Sequence, residues 1–321
     1  MFIRSRMASG LNAELHNAIC TVKLQLTDCG ETRGGWIIEG DLSSYFSTVH
    51  HRLLMKAVRR RISDARFISR LWKTIKAGHV DVGLFLDASE GVPQCCVISP
   101  LLSNIMLNEF DQYLNKRYLS GKARKDRWYW NHSIQRGRST AVKENWQWKP
   151  AVAYCRYADD FVLIVKGTKA QAKAIRAEFR GVLEDSLKLR LNMDKTRITH
   201  VNDGFIFLGH RNIRKRSRYG DMRVVSTIPK EKARNFAASL TALLSGNYSE
   251  SKIDMVEIFN QKLKGWAAFY QFVDFKAKVF SYIDRVVFWK LAHWLTRKYR
   301  KGIAYMMRWW CKSPKPGQSK T

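Results

Sequence analysis

Two short apolar segments that flank a pair of adjacent acids most constrain how this chain can fold. Residues 151–155 and 161–165 are rich in β-branched and aromatic side chains, and Arg156-Tyr-Ala-Asp-Asp160 joins them. This pattern predicts a β-hairpin with Asp159 and Asp160 at its tip. An Asp-Asp pair alone is more often a surface turn. Both arms are too apolar for an exposed hairpin, however, so we expect a buried scaffold to hold the acids.

A third acid, Asp41, ends a second predicted strand, Trp36-Ile-Ile-Glu-Gly-Asp41. On its own Asp41 could also be a helix N-cap. If the two strands are neighbours in one sheet, three carboxylates converge and repel one another. Divalent ions relieve such repulsion, because Mg²⁺ prefers oxygen ligands. Two such ions about 3.5–4 Å apart can activate a 3′-hydroxyl and stabilise a departing pyrophosphate, so this arrangement predicts nucleotidyl transfer.

The charge of the chain points to a polyanionic partner. It has 57 Lys and Arg against 27 Asp and Glu, a formal net charge of +30, and residues 211–321 hold 24 cations against 7 acids. Interleaved with 11 Trp and 12 Tyr, this excess favours nucleic acid over a membrane surface. No apolar run approaches the ~20 residues of a membrane span. The six cysteines lack metal-ligand or disulfide spacing, which predicts reduced thiols in a cytoplasmic protein.

The pattern along the chain is mixed α/β up to Ile228-Pro229 and helical beyond it. Hydrophobic periodicity predicts helices at 51–76, 99–113, 168–187, 255–270 and 280–299, and short strands at 82–86 and 205–209. Residues 115–150, with ten Lys and Arg and four Trp, have little periodicity and predict an exposed basic insertion.

Five ordered segments resemble the palm motifs of bacterial group II intron-encoded reverse transcriptase/maturases. They are Glu39-Gly-Asp-Leu-Ser-Ser-Tyr-Phe46, Gly91-Val-Pro-Gln-Cys-Cys-Val-Ile-Ser-Pro-Leu-Leu-Ser-Asn104, Tyr157-Ala-Asp-Asp160, Leu191-Asn-Met-Asp-Lys-Thr196 and Phe207-Leu-Gly-His210. Lys264-Gly-Trp-Ala-Ala-Phe-Tyr270 follows where the maturase region of that family begins.

The resemblance implies an α+β fold: a right-hand polymerase palm, an antiparallel sheet backed by helices, followed by an all-α thumb/maturase domain. The implied domains are a fingers remnant at 1–35, the palm at 36–210, a basic connector at 211–228, the helical domain at 229–311 and a tail at 312–321.

The resemblance also implies roles for single residues. Asp41, Asp159 and Asp160 would bind two Mg²⁺ ions, with Mn²⁺ as a substitute, and Lys195 would act on the pyrophosphate. Phe46 would exclude a ribose 2′-hydroxyl, and Pro93, Gln94 and Tyr157 would complete the substrate site. The implied nucleic-acid contacts are Gly209, Arg211, Arg214, Lys215, Arg216 and Arg218; for this basic run a solvated connector is an equal alternative.

Two departures from the family pattern stand out. The Pro-Gln pair is normally followed by two glycines, whereas this chain has Cys95-Cys96, whose side chains should crowd the nucleotide loop. Most of the fingers motifs and any endonuclease module are also missing, which predicts a truncated copy.

Three functions remain open from the sequence. The first is an RNA-directed DNA polymerase and intron maturase that binds intron RNA, an RNA template with a DNA primer, and dNTPs. The second is an RNA-binding splicing maturase with an impaired or relict polymerase site. The third is a generic basic nucleic-acid binder, which the ordered motifs make the weakest.

Overall fold

The computed structural model describes residues 6–7, 12–27, 35–76, 79–81, 84–86, 90–92, 97–121, 123, 128–130, 146–148, 150–193, 195–246 and 248–309. The strands are Arg6–Met7 (β1), Gly35–Gly40 (β2), His79–Asp81 (β3), Leu84–Leu86 (β4), Trp128–Trp130 (β5), Trp146–Trp148 (β6), Ala151–Tyr157 (β7), Asp160–Lys166 (β8), Ile198–His200 (β9), Phe205–Phe207 (β10), His210–Arg216 (β11) and Met222–Thr227 (β12). The helices are Asn12–Thr27 (α1), Tyr45–Thr48 (α2), His51–Arg59 (α3), Ala65–Lys76 (α4), Ser99–Leu114 (α5), Lys169–Gly181 (α6), Lys230–Ala242 (α7), Lys252–Phe269 (α8), Lys276–Tyr299 (α9) and Ile303–Trp309 (α10). Single π-helical turns, Asn115–Leu119 and Val182–Ser186, extend α5 and α6.

The chain divides into two compact units. The first comprises residues 1–208 and 212–225, and the second comprises residues 209–211 and 226–321. None of the helices in the described part of the chain combines the length and the apolar character needed to span a membrane.

A five-stranded sheet in the order β1-β7-β8-β2-β9 forms the centre of the first unit. Strands β7 and β8 are the predicted hairpin, and β2 pairs antiparallel with both β8 and β9. The predicted adjacency of the strand that ends at Asp41 and the acid-tipped hairpin is therefore confirmed.

Both faces of this sheet are covered, which explains the nearly continuous apolar runs in its strands. Alternate residues of a strand point to opposite faces, and Ile38 and Leu163 lie in one core while Ile37 and Ile164 lie in the other. The larger core is built on rings from the sheet and from two helices. Phe110 of α5 lies 5.3 Å from Phe161 and 6.0 Å from Phe179 between ring centroids, and all three are fully buried.

The predicted helix at 51–76 is two helices, because the chain turns at 60–64. Asp64 caps the second helix by accepting hydrogen bonds from the backbone N–H groups of Arg66 and Phe67 (2.8 and 3.2 Å). The predicted 115–150 insertion contains a π-helical turn and the paired strands β5 and β6; its remaining residues lie largely outside the described ones.

The segment predicted as a basic connector contains two strands for which no prediction was made. Strands β11 and β12 form a hairpin that pairs with β10 in a three-stranded sheet. Polar residues buried within β11, such as Asn212, mask the alternation by which a strand is recognised.

Helices α7 to α10 make up most of the second unit, as predicted for the chain beyond residue 228. Their core contains Phe259 of α8 and Ile283, Val287 and Trp294 of α9, all of which are buried. Helix α8 begins at residue 252, earlier than predicted, because the Ser251 hydroxyl accepts a hydrogen bond from the Ile253 N–H (3.2 Å).

Candidate active site

Strand register places two of the predicted acids side by side. Gly40 of β2 is paired with Phe161 of β8, so Asp41 and Asp160, the next residues along these antiparallel strands, meet at the same edge of the sheet. A cavity of about 180 Å³ opens there. It is lined by Glu39, Gly40, Asp41, Asp160, Phe161, Val162, Lys195, Ile206, Phe207 and Leu208.

The carboxylates share one electrostatic environment. The pKa of Asp160 is raised from 3.8 to about 6, first by burial and then by the negative charges of Asp159 and Asp41; the positive charge of Lys195 opposes the rise. Thus Asp41 and Asp159 both act on Asp160, although Asp159 is not among the residues that line the cavity.

Lys195 reaches the acids because its turn is tied to the end of β2. The Asn192 N–H donates to the Asp41 carbonyl (2.9 Å), and the Asn192 side-chain oxygen accepts from the Lys195 N–H (3.3 Å). The Lys195 Nζ then lies 3.4 Å from Oδ2 of Asp41, with both side chains open to solvent.

The donor set fits a hard divalent cation. Carboxylate oxygens are the ligands that Mg²⁺ and Mn²⁺ prefer, and a cation among them would relieve the mutual repulsion that raises the pKa of Asp160. No three acidic, histidine or cysteine side chains in the described residues are already grouped closely enough to hold a metal ion together.

A buried ion pair that sequence reasoning missed supports the turn that carries the acids. Arg156 binds Asp111 through two hydrogen bonds (Nε to Oδ1, 3.0 Å; Nη2 to Oδ2, 2.8 Å), and both side chains are almost fully buried. The Arg156 guanidinium also donates to the carbonyl of Ala158 (2.7 Å), which has a left-handed φ of 55°. The Tyr154 hydroxyl completes the network by donating to Asp111 (2.8 Å). The one sequence signal for this pair was the presence of an arginine, Arg156, next to an otherwise apolar strand.

Phe46 lies near this edge at the margin of the larger core. Its ring is half-buried and 5.5 Å from that of Tyr45, whose hydroxyl donates to the Ser103 carbonyl (2.8 Å). The Phe46 carbonyl accepts the Val92 N–H (2.7 Å), so α2 contacts the start of the segment that includes Pro93 and Gln94. Pro93, Gln94, Cys95 and Cys96 themselves lie outside the described residues.

Gly91 makes this close approach possible. Its φ is +92°, and a Cβ there would lie 2.8 Å from the Ser47 carbonyl oxygen and 2.9 Å from that of Phe46. Only glycine combines this backbone conformation with such a contact. Tyr157, another predicted substrate residue, is half-buried and pairs with Asp160 across the hairpin.

The residues predicted to contact nucleic acid differ in how exposed their side chains are. The side chains of Arg211, Lys215, Arg216 and Arg218 are exposed. Arg214 is buried, and its Nε donates to the side-chain oxygen of Asn202 (2.9 Å). The phosphate contact expected of Arg214 stays a prediction, and its buried side chain sets it apart from the exposed cations of this run. Gly209 has a φ of +76° and its carbonyl accepts a hydrogen bond from the Tyr270 hydroxyl (3.3 Å).

A mainly antiparallel sheet backed by helices, with only β1 parallel to its neighbour among the described strands of that sheet, is consistent with the palm of a polymerase. The family model described as reverse transcriptase (RNA-dependent DNA polymerase) matches residues 13–212, and the one described as group II intron, maturase-specific domain matches residues 233–313. The chain belongs to the reverse transcriptases, and within them to the group II intron-encoded reverse transcriptase/maturases.

The chain is similar to several known proteins. Protein YkfC of Escherichia coli K12 is 88% identical over 230 residues, which are 72% of this chain and 60% of that protein. The group II intron-encoded protein LtrA of Lactococcus lactis is 23% identical over 311 residues, 79% of this chain and 51% of LtrA. The chain thus spans between half and two thirds of the length of these relatives. The apo telomerase of Candida tropicalis aligns at 12% identity over 94% of this chain and 56% of its own, with a TM-score of 0.46.

Proposed function

We propose that this protein is an RNA-directed DNA polymerase that also serves as a maturase of a group II intron. Its reaction is nucleotidyl transfer onto a primer 3′-hydroxyl, with dNTPs as substrates and RNA as template. The observation that carries the proposal is the convergence of Asp41, Asp160 and Lys195 on one cavity, with Asp159 in electrostatic contact.

The three carboxylates would hold two Mg²⁺ ions, or Mn²⁺ in their place. Such ions, when bound, activate the attacking hydroxyl and stabilise the departing pyrophosphate. The carboxylates offer hard oxygen ligands at the ends of two rigid strands, which fixes where that chemistry takes place. The Lys195 side chain, which is exposed and approaches the same carboxylates, would neutralise or protonate the pyrophosphate.

Phe46 is proposed as the residue that selects dNTPs. Its ring follows Asp41 by five positions and is anchored on one side by the larger core. An added 2′-hydroxyl on the incoming nucleotide would collide with this ring, which cannot retreat without disturbing the packing beneath it.

Intron RNA is the proposed partner of the second unit. Cations such as Arg234, Arg285 and Lys290 are exposed on α7 and α9, and backbone contact through such residues suits shape-based RNA recognition. Action in the cytoplasm is part of the same proposal and rests on the cysteine pattern of the sequence.

A second candidate function is an RNA-binding splicing maturase with an impaired polymerase site. The observation that favours it is Cys95-Cys96, where the family normally has two glycines. Two side chains next to the incoming nucleotide would hinder its binding without affecting RNA contacts elsewhere.

Extension of oligo(dT) on poly(rA), with and without Mg²⁺, tests the first function. Wild type should extend the primer only with the metal, and Asp41→Asn and Asp159→Ala should abolish extension. Asp185→Asn, which changes an exposed acid elsewhere in the same unit, is the matched control and should leave extension unchanged.

Splicing of the intron RNA, measured with the same variants, separates the two functions. Asp159→Ala should retain splicing assistance under both. No extension by the wild type, together with normal splicing, would favour the second function, and recovery of extension in a Cys95→Gly/Cys96→Gly variant would locate the defect in the nucleotide loop.

A further inference from the structure

The helical hairpin formed by α3 and α4 is strongly positively charged. Residues 52–76 contain nine Lys and Arg but a single acid, Asp64, which caps α4. All nine cations are exposed. Arg60 is paired with Glu109 (2.6 Å); within the described residues the other eight form no ion pair. Charge of one sign held on a small surface repels itself unless a polyanion neutralises it.

A groove of about 600 Å³ lies where α3 meets α4, and it is lined by the last residue of α3, by the turn that follows and by one face of α4. Ile62 and Ile68 provide apolar surface, Trp72 adds an aromatic ring, Arg59 adds a cation, and Ser63 and Ser69 add hydroxyls. The Lys76 ammonium lies 5.1 Å from the centre of the Trp72 ring. None of the residues that line the groove lines the cavity of the acids.

This combination matches the chemistry of single-stranded nucleic-acid binding. Aromatic rings in such sites stack on bases, and the surrounding cations follow the phosphates. Hydroxyl groups in the groove can pair with a ribose 2′-hydroxyl, the group that distinguishes RNA from DNA.

We propose that the groove where α3 meets α4 binds a segment of single-stranded RNA, with a base against Trp72 and the flanking phosphates on Arg59 and its neighbours. The choice of RNA over DNA rests on the proposed function, whereas the binding of a single strand rests on the groove alone. The strand held here is distinct from the primer terminus at the acids.

Photocrosslinking of the full chain to a 12-nucleotide oligouridylate that contains 4-thiouridine tests the proposal. The reaction is run in EDTA without dNTPs, so polymerase activity has no influence on its outcome. The crosslink should map by mass spectrometry to residues 59–76. Ser69→Leu fills the groove without removing a buried side chain, and it should lower the crosslink yield at least ~5-fold, since stacking of a base contributes that much or more.

Thr74→Leu is the matched control, because it adds the same side chain to an exposed position of α4 outside the groove. It should crosslink like the wild type. Arg59→Gln should weaken the crosslink and lower the salt dependence of binding by about 0.7 in logarithmic slope. Lys173 is an exposed cation of α6, and Lys173→Gln should leave both the crosslink and the salt dependence unchanged.

Thermal unfolding of each variant confirms that it is folded. Wild-type crosslinks confined to other parts of the chain, or equal yields for Ser69→Leu and the wild type, would overturn the proposal. Equal yields from the corresponding 4-thiothymidine DNA would overturn the assignment to RNA. A third outcome would also overturn the proposal. If the wild type binds anionic vesicles, Ser69→Leu does not, and no RNA crosslink maps to this groove, the partner of the groove is a membrane surface. Failure of primer extension has no bearing on these results, so the two proposals can fail separately.

Discussion

The ammonium of Lys195 lies 3.4 Å from the carboxylate of Asp41, because Asp41 follows β2 and Lys195 precedes β9, its antiparallel neighbour in the first unit's sheet. The same positive charge lowers the pKa of Asp160, against the effects of burial and of the neighbouring acids. Removal of the lysine therefore changes the charge balance of the cavity as well as its proposed chemistry.

Lys195→Gln should slow primer extension by about 10²–10⁴-fold, the range of a lost general acid. The same change should raise the pKa of Asp160 further, because Lys195 now opposes that rise. Extension rates at saturating dNTP measure the first effect, and Lys195→Arg, which keeps the charge, should recover part of it. Equal rates for Lys195→Gln and the wild type would exclude Lys195 from the reaction.

The raised pKa of Asp160 predicts how stability depends on pH. Between about pH 4 and 6 the folded chain keeps a proton that the unfolded chain, with the ordinary pKa of 3.8, has lost. The free energy of unfolding therefore falls as pH rises through this window. Above about pH 6 this loss of stability is complete. Asp160→Asn should raise the melting temperature at pH 8 by roughly 1–3 °C, since solvent weakens the effect at this exposed edge.

The same substitution should change the melting temperature little at pH 4, where the wild-type carboxyl is largely protonated. Differential scanning calorimetry at the two pH values measures the difference. A larger stabilisation at pH 4 than at pH 8 would contradict the assigned direction of the pKa.

The buried Arg156–Asp111 pair should be far more important to stability than an exposed pair. Arg156→Leu leaves Asp111 charged and buried, which should cost about 3–5 kcal/mol in urea unfolding. Arg180→Leu breaks an exposed pair with Glu184 and should cost at most about 1 kcal/mol. Similar losses in the two variants would mean that the interior pair does not support the acid-bearing turn.

Gly91→Ala should disturb the nucleotide loop more than an equivalent change elsewhere. Gly220 has nearly the same φ, +91°, but open space where its Cβ would be, so Gly220→Ala reports the backbone cost alone. The contacts with the Phe46 and Ser47 carbonyls should add about 1–3 kcal/mol to the loss in Gly91→Ala. They should also raise the KM for dNTPs in primer extension, a change not expected in Gly220→Ala.

Three parts of the fold could be predicted because burial imposes a local spacing of apolar residues on each of them. They are the acid-tipped hairpin, the strand before Asp41 and the helical region beyond residue 228. The break between α3 and α4 was missed because Leu54, Val58 and Ile62 keep a helical spacing across it, and the one local signal was the capping Asp64. The hairpin at 210–227 was missed because its strands lack a clear apolar pattern. Arg214, for example, is buried, but an arginine is not expected in a core.

Long-range partners could not be obtained from one sequence. Nothing in the residues around Asp111 indicates that it meets Arg156, because the contact depends on how α5 packs against the sheet. By contrast, the meeting of Asp41 with Asp160 could be anticipated, since the ends of neighbouring strands meet at one edge.

The link from Arg156 to the carbonyl of Ala158 separates what keeps the chain folded from what performs its chemistry. The acids are at the surface of a turn whose geometry is determined from inside the molecule. In a lineage released from selection for copying RNA, substitutions at Asp159 and Asp160 would accumulate freely while Arg156 and Asp111 persisted together. The interior pair would thus mark a copy that still folds and, on the proposed function, the carboxylates would mark one that still polymerises.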